Sequence, residues 1–406
     1  MKSRIDLFIF TSILIFLTAS CTQEVEDPVF DYNLKSAKVI ETNNNFGLEL
    51  LKTIFETEDE PNIMISPTSV SIALGMAYNG AETTTKEAFE RVLNYEGLTR
   101  EEVNEITKEL ISVLITNVDG NLLELANSLW NDEGFPIKQE FIDLNANYFD
   151  AEVREIDLQT AEALEAINLW ASEQTHGKID EILDKIEPET AMILINAIYF
   201  NCVWETEFGK ENTSKEAFFT ETGEEFGKVD MMQTESNFNA ASTSDFSAVE
   251  LPYKNKKFSM FLFLPARDKG VEELVQKLDG TTWEKWMSEF HETTDLKVHM
   301  PKFKFDFERS LKEDLQAMGL KIAFSGDADF SGMSNIPLFI DRVIHKSYIG
   351  VNEEGTEAAA VTAVVMNYES ASPGLSLWFN RPFLFAITEN SSKSILFIGK
   401  VSEPAY

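Results

Sequence analysis

Hydrophobic positions recur with a helical period through much of the first half of the chain and with strand-like density through the second. Ser66-Pro67 predicts a helix start, with the serine as cap and the proline at the first helical position, and Asn79-Gly80 predicts its end. Thr99-Arg100-Glu101-Glu102 is a capping box, followed by Val103, Ile106, Leu110 and Leu114 along one face. A further helix is expected over about residues 160–175, stopping at Gly177. Residues 191–200 are nearly all apolar, the pattern of a central strand covered on both faces. Asn196 interrupts this run, and a buried amide must find polar partners. Residues 258–264, 296–307 and 339–351 are also strand-like, and 383–388 and 394–401, joined through Asn390-Ser391-Ser392, read as a C-terminal hairpin. Helices first and mostly antiparallel-looking strands later give an α+β class. No linker or repeat divides the pattern, so the 406 residues are expected to form one large domain rather than several.

Charge narrows the partners. The formal net charge is −35 and the isoelectric point about 4.4, with no cluster of lysine and arginine. Such a surface repels phosphate backbones and anionic lipid, which argues against nucleic acid and against a polyanionic cofactor. The N-terminus reads as an export signal over residues 1–20: Lys2 and Arg4 precede an apolar run over 7–17, too short to span a bilayer. Thr18-Ala19-Ser20-Cys21 resembles a lipoprotein processing box, although Thr18 stands where an aliphatic residue is usual. Lipidation of Cys21 is favoured over ordinary secretion, with residues 21–34 as a flexible acidic tether. The protein is then expected at the outer membrane or cell surface, otherwise in the periplasm or outside the cell. Its only membrane contact would be the lipid anchor. Cys202 is the one other cysteine; it reads as a small buried hydrophobe, and no disulfide is expected.

Catalytic constellations are missing from the sequence. There is no Gly-x-Ser-x-Gly elbow, no Walker loop, no Gly-x-Gly-x-x-Gly and no Cys-x-x-Cys. His291-Glu292 starts like a zincin helix, but Asp295 stands where the second histidine belongs. Asp327-Ala328-Asp329-Phe330-Ser331-Gly332 imitates half a calcium loop, whose twelfth position is Leu338 instead of a bidentate glutamate. A serine hydrolase would need one of the four histidines, His176, His291, His299 or His345, and His345 lies in an apolar run with Val343, Ile344 and Tyr348. The chain is therefore not expected to be an enzyme, nor to need a metal or cofactor.

One segment carries a different chemistry. From Thr356, alternate positions are Thr356, Ala358, Ala360, Thr362, Val364 and Met366, a set without charge. The other set is Glu357, Ala359, Val361, Ala363, Val365 and Asn367. A period of two describes a strand that can bury one face. Yet the run ends in Asn367-Tyr368-Glu369-Ser370-Ala371-Ser372-Pro373-Gly374, which is turn and loop chemistry.

Glu353-Glu354-Gly355-Thr356-Glu357-Ala358-Ala359-Ala360-Val361-Thr362-Ala363 resembles the hinge of a serpin reactive loop. Phe379-Asn380-Arg381-Pro382-Phe383-Leu384-Phe385, with Ile398-Gly399-Lys400-Val401, is similar to that family's closing strands. So are Asn62-Ile63-Met64-Ile65-Ser66-Pro67, Asn196-Ala197-Ile198-Tyr199-Phe200-Asn201 with Trp204, and Gly177-Lys178-Ile179 to other family segments, in the right order from about residue 35 to the end. The resemblance implies a serpin domain over 35–406: a central, mainly antiparallel sheet, two further sheets, a mainly helical N-terminal half and an exposed reactive loop at about 353–378.

The resemblance also implies a function, suicide-substrate inhibition of a serine protease, with a cysteine protease as the alternative target. The protease cuts the loop, is held as an acyl-enzyme, and is carried along as the freed arm inserts into the sheet. The hinge would be Glu353, Gly355, Thr356, Glu357, Ala358, Ala359, Ala360 and Thr362. Counting from Gly355 puts the reactive bond between Glu369 and Ser370; Tyr368 and Ala371 are the alternatives. Ser66, Ser69, Asn196 and His345 would meet beneath the point where the sheet opens, as a polar latch. The inhibitor is expected to act as a monomer that forms a covalent complex with its target. A non-inhibitory serpin acting as a binding protein is the second reading.

Overall fold

The computed structural model describes residues 30–356 and 375–406, apart from Tyr32 and Glu189. The first half supplies helices α1 (Leu34–Phe55), α2 (Pro67–Tyr78), α3 (Thr83–Val92), α4 (Arg100–Leu114), α5 (Gln139–Phe149) and α6 (Ala161–Gln174). Shorter helices α7 (Val271–Lys277), α8 (Gly280–Ser288) and α9 (Lys312–Leu315) follow. The local signals act as expected. The Ser66 side chain caps α2 by accepting from the Ser69 amide, and Thr99 and Glu102 form the reciprocal box at α4. Helix α6 is capped by Thr160, and the chain leaves it through a left-handed Gly177 with φ of 72°. Helix α2 is apolar almost all round and is buried along nearly its whole length.

Among the described residues the strands form two sheets. One contains β2 (Thr116–Val118), β3 (Asn121–Asp132), β4 (Ala151–Ile156), β5 (Met192–Val203), β11 (Phe303–Ser310), β12 (Ile344–Val351) and β13 (Gly355–Thr356). Its order is β11-β12-β13-β5-β3-β2, with β4 also on β3. The other holds β1 (Ile63–Ile65), β6 (Ser214–Phe219), β7 (Glu225–Ser242), β8 (Phe246–Pro252), β9 (Phe258–Pro265), β10 (His291–Pro301), β14 (Ser376–Trp378), β15 (Phe383–Glu389) and β16 (Ile395–Val401). The two further sheets expected beside the central one are continuous, because the 18-residue β7 runs through both, with β6 and β10 along one stretch and β8 at the other end.

Two expected strands have different bounds. Residues 296–307 divide at Pro301 and Lys302 into β10 and β11, which belong to different sheets. Of 339–351 only Ile344–Val351 is a strand; the residues before it have no strand beside them to pair with, and the Ile340 amide donates instead to the Ala323 carbonyl.

Strand β5 positions everything that follows. Its Ile195 and Ala197 pack with Trp130 and with Ile167 and Trp170 of α6, whereas Phe200 and Cys202 join the core between the sheets. Along one edge β5 is paired throughout with β3; along the other it is paired only with the two residues of β13. Strand β12, parallel to β5, likewise meets β13 only at Val351. The two strands therefore part below β13, and a cavity of about 490 Å³ opens at the far end. Val70, Ala73 and Ala77 of α2 line it, together with Leu194, Met333 and Val343.

Candidate functional site

The site has two parts along the gap. At the closed end, β13 is wedged between its neighbours, with Gly355 opposite Val203 and Thr356 opposite both Cys202 and Val351. A β-carbon on Gly355 would lie 2.1 Å from the Cys202 carbonyl oxygen, so only glycine allows this approach. The turn is held by the Asn352 side chain, which accepts from the amides of Glu354 and Gly355 at 2.9 and 3.2 Å. Trp204 and Phe208 donate backbone hydrogen bonds to the carbonyls of Glu354 and Glu353, both at 2.9 Å.

The side chains lock the same turn. Thr356 is 2 % exposed, and its hydroxyl shares a hydrogen bond of 2.5 Å with Tyr253, whose ring stacks on Trp204. Glu353 and Glu354 are both buried, and each has a cation: Lys302 lies 3.1 Å from Glu353, and Lys210 pairs with Glu354. Thr213 also donates to Glu353, at 2.9 Å. Burial acts to raise the Glu353 pKa, but hydrogen bonds from its own amide, Lys302 and Thr213 outweigh that, and the carboxyl is held below its usual value.

Lower in the gap, Ser66, Ser69, Asn196 and His345 come together. The Ser69 hydroxyl donates to the side-chain Oδ1 of Asn196, and the Ser66 backbone N–H donates to Nε2 of His345 at 3.2 Å. The Ser69 amide donates to the Ser66 hydroxyl at 3.2 Å. Asn196 donates in turn to Asn127 at 2.7 Å, and Asn127 to the Phe149 carbonyl at 2.6 Å. Strands β5 and β12 are thus each fastened to the N-terminal end of α2. Accepting at Nε2 requires a neutral His345. Burial pushes its pKa down to about 4, partly offset by a backbone hydrogen bond with Met64.

Of the hinge residues read from the sequence, Glu353, Gly355 and Thr356 are joined here, while Glu357, Ala358, Ala359, Ala360 and Thr362 lie outside the described residues. So do Tyr368, Glu369, Ser370, Ala371 and Cys21. Sequence reasoning missed Asn127, Tyr253, Lys210, Thr213 and Lys302. Asn127 carried a signal, an amide within the alternating run of β3 and opposite Asn196 in register. Lys302 carried none, because it lies 51 positions before Glu353 and shares no local pattern with it. Among the described residues no group of three acidic, histidine or cysteine side chains could hold a metal ion, and no helix is long and apolar enough to cross a membrane.

A family profile described as serpin, serine protease inhibitor, matches residues 41–404. The chain is a serpin. Human Serpin B4 is 34% identical to it over 388 residues, covering 90% of this chain and 99% of that protein. The crystal structure of a thermophilic serpin, tengpin, in the native state superposes with a TM-score of 0.83 at 31% identity, covering 93% of this serpin and 96% of tengpin. Thyroxine-binding globulin in complex with thyroxine superposes at 0.82 with 26% identity, covering 91% and 100%. The family thus holds both protease inhibitors and binding proteins, and its members are generally not enzymes.

Proposed function

We propose that this serpin inhibits serine-type endopeptidases by loop insertion and covalent trapping. The observation that carries the reading is β13, a two-residue strand already seated at the closed end of an otherwise open gap. Thr356 lies opposite Cys202 and Val351. Each further step along the loop is one step back along both neighbours. Extended in that register, Ala358 would come opposite Phe200 and Ile349, Thr362 opposite Asn196 and His345, and Val364 opposite Leu194 and Val343.

Register also decides which alternate set turns inward. Thr356 points to the core, so Ala358, Ala360, Thr362, Val364 and Met366 would follow it, and this is the set without charge. Thr362 would bring a hydroxyl to the latch, and Val364 and Met366 would fall toward the cavity over α2, where Leu194, Met192 and Val343 are part of the lining. The charged Glu357 belongs to the opposite face.

In the chemical step the protease hydroxyl attacks the carbonyl carbon before the scissile bond. An ester forms, the peptide bond breaks, and the proton leaves on the new amine of the downstream fragment. Insertion then removes the ester from the geometry that water needs. A binding role without trapping is the second reading, and the likeness to thyroxine-binding globulin supports it.

Incubation with a panel of serine proteases, read on a denaturing gel, tests the proposal. A band of summed mass that survives boiling is expected with at least one protease, together with a released fragment beginning at Ser370. A fragment beginning at Glu369 or Ser372 would move the bond to Tyr368 or Ala371. Release of every cutting protease in active form would overturn the inhibitor reading.

We propose also that Cys21 anchors the protein through lipid. Cys21→Ala should shift it from the membrane to the soluble fraction, and a mature N-terminus other than lipidated Cys21 would refute the anchor.

A further inference from the structure

The hinge turn is braced by a residue far from it in sequence. Asn62 fixes the segment after β16: its side-chain oxygen accepts from the amides of Ser402 and Glu403 at 2.9 and 3.0 Å, and its NH2 group donates to the Glu403 carbonyl at 2.9 Å. Pro404 is buried, and the Lys304 N–H donates to the Ala405 carbonyl at 2.7 Å. The next residue, Tyr406, is thereby laid beside the turn at Asn352–Gly355, although it is itself 59% exposed. Its hydroxyl accepts from the side-chain NH2 group of Asn352 at 3.1 Å. Its ring lies over the Lys302 ammonium, with Nζ 4.3 Å from the ring centre.

Both partners of Tyr406 hold the hinge. Asn352 is the residue whose oxygen takes the Glu354 and Gly355 amides, and Lys302 is the cation of buried Glu353. An asparagine side chain can face a turn with its oxygen or, flipped, with its NH2 group, and only the oxygen can accept two N–H donors. The phenol oxygen takes the NH2 group and so supports the orientation the turn needs. The ring acts on the second partner. It attracts the ammonium and covers one side of Lys302, and an ion pair with less water around it is stronger. Trp204 holds the same turn from the core, its indole donating to the Asn352 carbonyl at 3.0 Å; Tyr406 holds it from the solvent side.

We propose that Tyr406 is a positioning residue for loop insertion: by fixing Asn352 and Lys302 it keeps β13 seated, ready to lengthen when the loop is cut. Its use in trapping rests on the loop-insertion reading; the brace itself does not. Insertion extends β13, so a chain whose hinge has left the gap must first reseat it, while hydrolysis of the acyl-enzyme goes on. The two contacts lie near the surface, and each is worth about threefold in the equilibrium between seated and released hinge.

Hydrogen exchange of the uncut protein tests the brace without any protease. The Gly355, Trp204 and Phe208 amides donate to the Asn352 side chain and to the Glu354 and Glu353 carbonyls, so their exchange reports opening of the turn. Tyr406→Phe removes the hydroxyl and keeps the ring, and should speed that exchange about threefold; Tyr406→Leu loses both contacts and should speed it about tenfold. Amides of β15 and β16, in the other sheet, should keep their rates. In Asn352→Ser, whose side chain is too short to meet the phenol, Tyr406→Phe should add nothing, because Asn352 transmits the effect of the hydroxyl. With a trapped protease, the ratio of cleaved and released inhibitor to covalent complex should rise in the same order, Tyr406→Leu above Tyr406→Phe. Unchanged exchange in both variants overturns the brace, and so does an equal rise in every amide, which would make Tyr406 a contact that stabilises the whole fold. A full effect of Tyr406→Phe in the Asn352→Ser background overturns the route through Asn352. Faster hinge exchange with the ratio unmoved overturns the role in trapping. If wild type traps no protease, the inhibitor reading fails, and exchange still decides the brace.

Discussion

Ala358→Glu should abolish protease trapping, while the same change at the neighbouring Ala359 should leave most of it. The register set by Thr356 opposite Cys202 and Val351 directs residue 358 toward Phe200 and Ile349, which are 5% and 2% exposed. A carboxylate there would lose its water without gaining a cation, at a cost of several kcal/mol. Residue 359 would instead come opposite Tyr199 and Tyr348, on the outer face. Lys178 and Lys304 lie over the Tyr348 ring at 4.9 and 5.9 Å, so a glutamate there would meet positive charge. Trapping is a race between insertion and hydrolysis of the acyl-enzyme. A penalty of about 3 kcal/mol slows insertion by about a hundredfold, enough to turn an inhibitor into a substrate. Stoichiometry of inhibition for the two variants against one trapped protease decides the matter. Equal loss in both would show that the loop enters in another register or not at all. Thr356→Arg should fail as Ala358→Glu does, for a related reason: its side chain would have to displace the bond to Tyr253 within an already filled hinge.

Much of the fold was legible because its signals are local. Ser66 with Pro67, and Thr99 with Glu102, satisfy the orphan amides of a first helical turn within a few residues, so sequence alone marks those helix starts. The near-continuous apolar run of β5 declared a strand buried on both faces, and Asn196 within it declared a need for partners. Non-local geometry was less accessible. The division at Pro301 depends on which sheet is nearest, and the continuity of β7 depends on strands far from it in sequence. The gap between β5 and β12 is an absence of pairing, which leaves no residue to mark it. Nor could the sequence say that the latch ties each strand to α2, because the Ser66 contribution to His345 is a backbone N–H that any residue would carry.

That backbone bond gives the latch a pH dependence. His345 can accept from Ser66 only while Nε2 is unprotonated, and burial holds its pKa at about 4 against an ordinary value of about 6.5. The sign follows from proton counts. Between these values the unfolded chain binds a proton at this site that the folded one refuses, so stability is complete above about pH 6.5 and falls as the pH drops toward 4. The loss by pH 5.5 is about 1.4 kcal/mol for His345, and a similar amount for His299, whose pKa is pushed down to about the same value. Unfolding free energies of the uncut protein from denaturant titrations at pH 7.5 and 5.5 should therefore differ by about 3 kcal/mol in wild type, after allowance for the many surface carboxylates common to all variants. His345→Gln keeps a polar side chain at the latch but does not titrate, and should lose only about half as much. The same variant should open the gap more readily at pH 7.5, because a glutamine amide does not reproduce the imidazole acceptor beside Ser66 and leaves the N-terminal turn of α2 less firmly tied to β12. A pH difference equal to wild type in His345→Gln would mean that the imidazole is not the group holding β12 to α2.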